Sequence, residues 1–523
     1  MHLFVTTIQW AALLLFLAAT AVALRYFTHM LQLASYQFQG YFRFLGAEPS
    51  RWLPLIFILI SPAASLLHYA PLAAGYSLVY LTAMLALYWP RRAKKKFVVT
   101  ARVKRLFATA ALLWVALFAV AFGLPARAAA IVLPPAAFAL LPLLLALANL
   151  INVPVERAVR RYYIDDAKRL LREHPGLTVI GVTGSFGKTS VKYHLTTLLA
   201  EGFRVLMTPE SYNTPMGVVK TIRGDLQATH QIFVCEMGAR HVGDIKEICD
   251  IVHPNHGVVT AIGYQHLETF HSLDNIIKTK YELLDEVEQN GKGGYKFVNG
   301  DNPVIASHPK YQDAITYGLD KKNDYHGVIL EVSKNGTVFT VTNPAGETEE
   351  FRMKLLGRHN AENVIGAIAV ANTLGIPLRR LKTAVRKLEG VPHRLQLLSK
   401  GNVTVIDDAY NANPEGTKAA LETLGLFQAC RILVTPGMVE LGARQDEENE
   451  RFGERAAAVC DYIILVGERT TRAIARGALA AGFAPDRLIT AANLAEATKK
   501  MYELESGREK VILLENDLPD TYL

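Results

Sequence analysis

Residues 178–190 read TVIGVTGSFGKTS, and this short stretch constrains the fold more than any other part of the chain. Apolar and β-branched residues predict a buried strand, and Gly184 and Gly187 allow a tight turn before a helix begins. In such a unit the backbone N–H groups and the positive end of the helix dipole bind phosphate groups. The sequence therefore predicts a nucleoside triphosphate site in an α/β domain.

The turn and the start of the helix carry the residues of this predicted site. We expect the phosphates to lie against Gly184, Ser185, Phe186, Gly187, Lys188, Thr189 and Ser190. Lys188 can reach the β- and γ-phosphates as a point charge, and the hydroxyl of Thr189 suits Mg²⁺. The spacing is G-x-x-G-K-[ST], with Gly181 one position too early for the general motif. A chance glycine-rich turn is the alternative, but strand, glycines, Lys-Thr and helix follow one another in the required order.

The first 151 residues are unusually apolar. Half of all residues are hydrophobic and the mean hydropathy is +0.17, and the excess is concentrated in this part of the chain. A helix rises about 1.5 Å per residue, so most of these runs can cross a hydrocarbon core of about 30 Å, and we predict about five membrane spans. Prolines interrupt the middle pair. The runs are residues 3–24, 53–69, 70–89, 106–123 and 129–151.

Basic residues predict how these spans are oriented. One cluster lies in residues 91–105 and another in residues 157–169, and both should be cytoplasmic. Arg127 is then outside, between two short spans. A signal peptide is the alternative for residues 3–24, but no basic segment precedes them and further spans follow. We therefore predict a multi-pass protein of the cell membrane whose soluble part is cytoplasmic.

The net charge of +8 does not indicate a nucleic-acid-binding protein. Much of the positive charge flanks the apolar runs and does not form a stripe with interleaved aromatic residues, so anionic lipid headgroups explain it better. The four cysteines show neither a zinc-binding spacing nor a disulfide framework, and we expect buried, reduced thiols. They are Cys235, Cys249, Cys430 and Cys460.

Strand-like and helical segments alternate after residue 152, which predicts largely parallel sheets covered by helices. This part of the chain is longer than a domain with a single hydrophobic core usually is, and a break near Gly390–Arg394 divides it. We predict a transmembrane helical domain at 1–151, a central P-loop mononucleotide-binding domain at 152–391 and a smaller Rossmann-like α/β domain at 392–523. Residues 323–357 predict a β-hairpin within the central domain.

Three further residues suggest the chemistry. Glu236 follows a predicted strand, at the sheet edge where ligands bind, and its carboxylate can hold the Mg²⁺ that Thr189 also contacts. His266 follows the next strand, and Lys280 lies fourteen residues later. Taken singly, His266 and Lys280 are more often solvated surface residues.

In combination, the motifs resemble the Mur ligase family, and within it the branch that adds D-alanyl-D-alanine. The resemblance is dense from residue 178 to about 442. The motifs are TGSFGKTS, SYNTPMG (211–217), EMGARHVGDI (236–245), GYQHLETF (263–270), KTKYELL (278–284), GRHNAENVIGAIAVANTLGI (357–376), VPHRLQ (391–396), IDDAYNANPEG (406–416) and GMVELG (437–442).

This resemblance implies an ADP-forming ligase in which ATP phosphorylates a carboxylate and an amine then attacks the acyl phosphate. It implies Mg²⁺ at Thr189 and Glu236, a second metal at His266 and a Lys280 that reacts with CO₂ to form a carbamate. The C-terminal domain is expected to close over ATP. The expected nucleotide contacts are Asn360, Asn363, Arg394, Asp408 and Tyr410.

The substrates stay open at this point. The soluble UDP-sugar-binding domain with which the family usually begins is replaced by apolar runs, so the acid is either UDP-linked or a lipid-linked, muropeptide-like molecule. The amine is an amino acid or a dipeptide. A polyglutamate-type ligase is a second interpretation, and an ATP-driven transporter is a third. Apart from His68, the apolar runs carry almost no ionisable residues, which argues against transport. The oligomeric state is not predicted.

Overall fold

The computed structural model describes residues 2–60, 62–63, 70–90, 96–122, 126–291, 293–308, 313–333, 335–400, 402–410, 412–504 and 507–517. The chain separates into two compact units: a helical unit that ends at Tyr162 and an α/β unit that begins at Tyr163. His68 and residues 91–95 of the basic loop lie outside the described residues. The division of the α/β part at residues 391 and 392 stays a prediction.

Long apolar helices form the helical unit. Their buried faces bring together large aromatic side chains, including Phe27, Tyr41, Tyr88 and Phe138, each at most 1% exposed. The helices are α1 (His2–Leu33), α2 (Phe38–Ala47), α3 (Pro49–Trp52), α4 (Ala70–Tyr88), α5 (Ala101–Phe122), α6 (Ala126–Ala139) and α7 (Leu141–Arg172).

Two segments among the described residues are long and apolar enough to cross a membrane, Leu13–Leu33 and Leu141–Arg172. Two predicted runs differ from continuous α-helices. Leu53–Leu59 form a 3₁₀-helix with Pro54 in its first turn, where the missing N–H of proline costs no helical hydrogen bond. Residues 129–151 are divided at Leu140 between α6 and α7, and Pro142 lies in the first turn of α7. The number of spans stays a prediction.

A nine-stranded sheet forms the first part of the α/β unit. The strands lie in the order β2-β3-β1-β4-β5-β6-β7-β8-β9, and those from β2 to β7 are parallel. The strands are β1 (Thr178–Thr183), β2 (Val205–Met207), β3 (Ile232–Glu236), β4 (His256–Val259), β5 (Lys296–Asn299), β6 (Ile315–Gly318), β7 (Tyr325–Ser333), β8 (Gly336–Thr342) and β9 (Thr348–Met353). Because β3, β1 and β4 are neighbours, the segments that follow them meet at one sheet edge.

The predicted hairpin is confirmed and is longer than expected. β7 and β8 pair antiparallel, and β9 pairs antiparallel with β8, so the segment continues the central sheet as a three-stranded meander. Helices cover both faces of this sheet. They are α8 (Lys188–Leu199), α9 (Pro215–Asp225), α10 (Asp244–Val252), α11 (Leu267–Phe270), α12 (Leu273–Gln289), α13 (Pro303–Ala306), α14 (Arg358–Thr373) and α15 (Leu378–Arg386).

A six-stranded sheet forms the last part of the unit, in the order β10-β11-β15-β12-β13-β14, with β10 antiparallel to the rest. The strands are β10 (Gln396–Lys400), β11 (Val403–Asp408), β12 (Cys430–Thr435), β13 (Tyr462–Val466), β14 (Leu488–Ala491) and β15 (Lys510–Glu515). The helices are α16 (Pro414–Gly425), α17 (Gln445–Val459), α18 (Glu468–Ala480) and α19 (Leu494–Glu503). All four cysteines are buried free thiols, as expected.

Candidate functional site

The loop between β1 and α8 depends on two glycines. Gly184 has φ of +152°, and a Cβ there would lie 2.1 Å from Thr260 Oγ1. Gly187 has φ of +81° and precedes the first residue of α8. The Ser185 N–H donates to Ala261 O at 2.7 Å, which ties the loop to the segment after β4. These contacts fix the conformation of the loop beside the N-terminus of α8. The first N–H groups of this helix have no partner within the helix.

Lys188 lies inside the curve of this loop. Its Nζ donates to Gly184 O at 2.7 Å and to Ser185 O at 3.0 Å. Burial lowers the pKa of Lys188 to about 8, although the nearby Glu236 carboxylate opposes this shift. These two carbonyl groups are the partners that a phosphate would replace, so the ammonium group is already at the phosphate-binding loop.

Glu236 ends β3 and is 1% exposed. Its Oε1 accepts hydrogen bonds from Thr189 Oγ1 at 3.1 Å and from Asn213 Nδ2 at 3.0 Å. Its Oε2 lies 3.1 Å from Nζ of Lys192, which is fully buried and also donates to the Glu210 carbonyl. The structure thus brings Thr189 and Glu236 together, as predicted, and adds an unpredicted buried cation.

This arrangement suits Mg²⁺ bound together with phosphates. Mg²⁺ prefers oxygen ligands and is usually held by one or two protein groups, with water and substrate phosphates completing the octahedron. The Thr189 hydroxyl and the Glu236 carboxylate are such oxygens, and they lie beside the loop that would hold the phosphates. The described residues contain no group of three or more His, Cys, Asp or Glu side chains suited to a metal, so most ligands would come from the nucleotide and water.

His266 contacts Glu440, a residue that the sequence did not single out. The His266 Nδ1 lies 2.5 Å from Glu440 Oε2, and burial lowers the pKa of the imidazole while the Glu440 carboxylate opposes that shift. A neutral imidazole that donates from Nδ1 to a carboxylate keeps the Nε2 lone pair for a ligand, and this carboxylate–histidine pair is common in metal sites. Arg240 lies 3.8 Å from the same carboxylate.

Lys280 lies on α12 and is 2% exposed. Burial lowers its pKa well below the usual value for lysine, and the positive charge of Lys188 lowers it further. The side chain is therefore close enough to the phosphate-binding loop to interact electrostatically with Lys188. A lowered pKa favours the neutral amine, which is the form that reacts with CO₂.

The two asparagines of α14 have different surroundings. Asn363 lies against the phosphate-binding loop, because a Cβ on Gly187 would be 2.8 Å from its Oδ1. Asn360 is 8% exposed, and its Nδ2 donates to Leu356 O at 2.8 Å. The structure thus brings Asn363 to the loop, whereas part of the Asn360 amide is used within its own helix.

Arg394, Asp408 and Tyr410 lie together near the start of the second sheet. The Arg394 guanidinium is 4.1 Å from the centre of the Tyr410 ring, and the Leu395 N–H donates to Asp408 Oδ1 at 3.2 Å. Burial raises the pKa of Asp408 to about 6. Glu515 is its register partner on β15 and is fully buried. Burial and the negative charge of Asp408 raise the pKa of Glu515 well above its usual range.

Four residues of this region were absent from the predicted site: Lys192, Asn213, Glu440 and Glu515. Asn213 and Glu440 lie within the motifs SYNTPMG and GMVELG, so these motifs were the available signal. Lys192 follows Lys188 by four residues, which places both on one side of α8. Glu515 had no signal, because only the pairing of β11 with β15 brings it to Asp408.

Comparison with known proteins gives consistent matches to one family. Residues 182–371 match the Mur ligase middle domain, and residues 393–515 match the domain described as Mur ligase, glutamate ligase domain. The UDP-N-acetylmuramoyl-tripeptide--D-alanyl-D-alanine ligase of Escherichia coli K12 is 31% identical over 57% of this chain and 67% of its own length. The chain spans 62% of the ligases of the same name from Mycobacterium tuberculosis H37Rv and Bacillus subtilis.

Solved structures agree with the sequence matches. MurF from Acinetobacter baumannii superposes with a TM-score of 0.62 at 26% identity, covering 68% of this chain and 77% of that chain. MurF ligase from Thermotoga maritima in complex with ADP gives a TM-score of 0.60 at 25% identity, covering 68% of this chain and 80% of that chain.

Proposed function

Because this chain belongs to the Mur ligase family, we propose that it is an ADP-forming amide ligase that activates a carboxylate with ATP and joins it to an amine. One observation carries this proposal. Lys188, Thr189 and Glu236 lie at a phosphate-binding loop, and His266, in the segment after β4, contacts Glu440, which follows β12. The loop alone suits any ATPase, whereas this combination suits transfer of a phosphoryl group to a second substrate.

The protein residues contribute positioning and charge to the phosphoryl transfer. Lys188 and the first N–H groups of α8 bind the β- and γ-phosphates, and Thr189 with Glu236 holds Mg²⁺. Bound Mg²⁺ neutralises the charge that develops on the transferred group. The substrate carboxylate attacks the γ-phosphorus, the bond to the ADP oxygen breaks, and an acyl phosphate forms. The amine then attacks the carbonyl carbon, and phosphate leaves as the amide forms.

Lys280 and His266 complete this proposed site. Neutral Lys280 forms an N–C bond with CO₂ and loses one proton to solvent, which converts a neutral amine into a carbamate anion. His266 would hold a second metal ion through Nε2, with Glu440 fixing the ring. Asn360, Asn363, Arg394, Asp408 and Tyr410 would contact adenosine or phosphates, and the region from about residue 392 would close over ATP and exclude water.

The proposed substrates are an acid and an amine of peptidoglycan precursor synthesis. The amine is D-alanyl-D-alanine or a single amino acid, in keeping with the name of the 31% identical relative. The acid is a muropeptide-like molecule, UDP-linked or lipid-linked. We propose that the helical unit lies in the cell membrane with about five spans and the catalytic part on the cytoplasmic side. Two candidate spanning helices and the basic residues beside them support this placement.

The test is ATP turnover by the full-length protein in detergent, with UDP-linked and lipid-linked muropeptides offered together with D-alanyl-D-alanine, single amino acids or glutamate. We expect phosphate release that requires both acid and amine, and a product whose mass shows a new amide. Lys188→Met should slow turnover by about 10²- to 10³-fold. ATP hydrolysis at the same rate with and without the amine would contradict the ligase proposal and favour a transporter. Successive addition of glutamate residues to the product would favour a polyglutamate-type ligase.

A further inference from the structure

Polar side chains line one contact between two helices of the apolar helical unit. On α5 they recur at every third or fourth residue, and on α7 they do the same, so each set lies on one face of its helix. Tyr36, in the turn after α1, joins them. We call this group the polar cluster; it consists of Tyr36, Arg102, Arg105, Thr109, Asn149, Asn152 and Glu156.

Several contacts hold the polar cluster together. Arg105 Nε donates to Glu156 Oε1 at 2.7 Å, and Thr109 Oγ1 donates to Asn152 Oδ1 at 2.9 Å. Asn149 Nδ2 donates to the Tyr36 carbonyl at 3.1 Å. Arg105 pairs with Glu156, and Thr109, which is later in α5, pairs with Asn152, which is earlier in α7. The two helices therefore run antiparallel along the polar cluster.

Among the described residues, three buried polar atoms of the cluster have no hydrogen-bond partner, and all three can donate: Asn152 Nδ2, Arg102 Nε and the Tyr36 hydroxyl. Asn152 is only 9% exposed. Arg102 stacks at 3.8 Å on the Tyr36 ring, and its Nε is 3.8 Å from Glu156 Oε2, too far for a hydrogen bond. Burying donor groups without partners costs free energy. A ligand with several hydrogen-bond acceptor atoms would remove this cost.

Charge and position indicate which acceptor fits. Arg102 and Arg105 both lie beside Glu156, the acid of the polar cluster. In α5 the sequence changes from basic to apolar after Arg105, and in α7 it changes from apolar to charged at Glu156. The polar cluster thus lies where both apolar runs end, at the depth of lipid phosphates in a membrane. A stacked arginine has its donor edge available for phosphate oxygens.

We propose that the polar cluster binds the phosphate group of a membrane lipid headgroup. This inference rests on the proposed membrane placement of the helical unit and does not depend on the ligase chemistry. The donors that the cluster offers to such a phosphate are Arg102 Nε, Asn152 Nδ2 and the Tyr36 hydroxyl. The competing explanation, a polar contact that only joins α5 to α7, requires no ligand.

The experiment measures lipid binding to the full-length protein in detergent by native mass spectrometry. The probes are a long-chain isoprenyl diphosphate, phosphatidylglycerol and, without phosphate, a glucosyl diacylglycerol. Inorganic pyrophosphate serves as a soluble competitor. Asn152→Asp replaces the free donor with a negative acceptor, and Arg102→Leu removes the stacked guanidinium. Matched controls in the same unit are Gln39→Glu, which adds a negative charge on the surface, and Arg51→Leu, which removes an arginine outside the polar cluster.

We expect both phosphate lipids to bind the wild type and the controls, and Asn152→Asp and Arg102→Leu each to weaken binding about tenfold or more. The more strongly bound phosphate lipid identifies the source, and competition by pyrophosphate supports recognition of phosphate itself. Equal binding by variants and wild type, equal binding of the glucolipid, or binding of pyrophosphate without either lipid would each overturn the proposal. Nucleotide binding and thermal unfolding of each variant show whether it is folded, and amine-dependent turnover tests the ligase proposal separately.

Discussion

Glu236 and Glu515 each end a parallel strand of a mixed sheet and are almost completely buried, yet their carboxyl groups are stabilised in different ways. Glu236 has a buried lysine at 3.1 Å and two hydrogen-bond donors. Within the described part of the chain, neither oxygen of Glu515 accepts a hydrogen bond from an N–H or O–H group, and its neighbour is another acid, Asp408. A buried carboxyl group can therefore be neutralised either by a cation or by its own proton.

The difference suits two different tasks. A carboxylate that is to hold Mg²⁺ must stay ionised when the nucleotide is absent, and Lys192 provides the opposite charge. Burial and the nearby Asp408 instead raise the pKa of Glu515, which favours the protonated carboxyl; that form can donate a hydrogen bond to Asp408 and leave Asp408 as an acceptor for ribose or for an arginine. We infer that residues at the edge of the first sheet bind Mg²⁺ and phosphate groups, and that residues of the second sheet orient the nucleoside.

The largest expected effect comes from breaking the Glu236 pair. Lys192→Met leaves a buried carboxylate without its cation and should destabilise β3 by about 3–5 kcal/mol. Hydrogen exchange of the peptide that contains residues 231–237 measures this loss locally. Adding Glu236→Gln to Lys192→Met should restore most of the protection. Lys499→Met is the matched control, because its ion pair with Glu503 is on the surface, and it should cost at most about 1 kcal/mol. Equal losses in the two single variants would contradict the comparison.

A smaller effect is expected at the histidine that links the two sheets. Glu440→Gln keeps an oxygen acceptor for His266 but removes the negative charge, so the ring is less firmly held as a ligand. The Mg²⁺ concentration that gives half-maximal turnover should rise about tenfold. Glu447→Gln is a suitable control, because Glu447 is half exposed and lies at the start of α17. An unchanged Mg²⁺ dependence would remove His266 from the proposed metal site.

The sequence predicted the α/β order, the phosphate-binding loop and the Glu236 position, because these follow from strand and turn patterns within single segments. It did not predict Lys192, Glu440 or Glu515 as site residues. Each acts through a contact between elements far apart in the chain, such as 174 residues between His266 and Glu440. Apolar runs likewise located the helical unit, but composition alone did not show the 3₁₀ turn at Leu53–Leu59.

A pH-dependent effect tests the protonated acid. Glu515 has a raised pKa in the folded state, so its own contribution to stability should be complete below the ordinary glutamate pKa of about 4.3 and should fall as pH rises toward the raised value, because the unfolded chain releases the proton first. Glu515→Gln keeps the donor without a titrating proton and should remove this loss. Glu515→Ala removes the donor, which raises the pKa of Asp408 above about 6 and lowers turnover about threefold near neutral pH.

Two measurements check this prediction. Thermal unfolding between pH 5 and pH 8 should show a flatter profile for Glu515→Gln than for the wild type, in the same detergent and salt. On the acid side of the pH profile, the pH at which turnover falls to half its maximum should be higher for Glu515→Ala than for the wild type. For Glu515→Gln it should be unchanged. If thermal stability depends on pH in the same way in Glu515→Gln and in the wild type, Glu515 is ionised in the folded protein. The proposed difference between Glu236 and Glu515 would then be wrong.

The smallest expected effect concerns Tyr410, which is 47% exposed and has the Arg394 guanidinium over its ring. If the ring mainly orients Arg394, Tyr410→Leu removes a contact of about 0.5–1 kcal/mol and weakens ADP binding two- to fivefold. Stacking on adenine would contribute about 1–3 kcal/mol, so a loss well above tenfold would assign Tyr410 to the base. We expect the smaller loss, because one face of the ring is already covered. Tyr462→Leu, which removes a comparable ring beside Arg487, should leave ADP affinity unchanged and serves as the matched control.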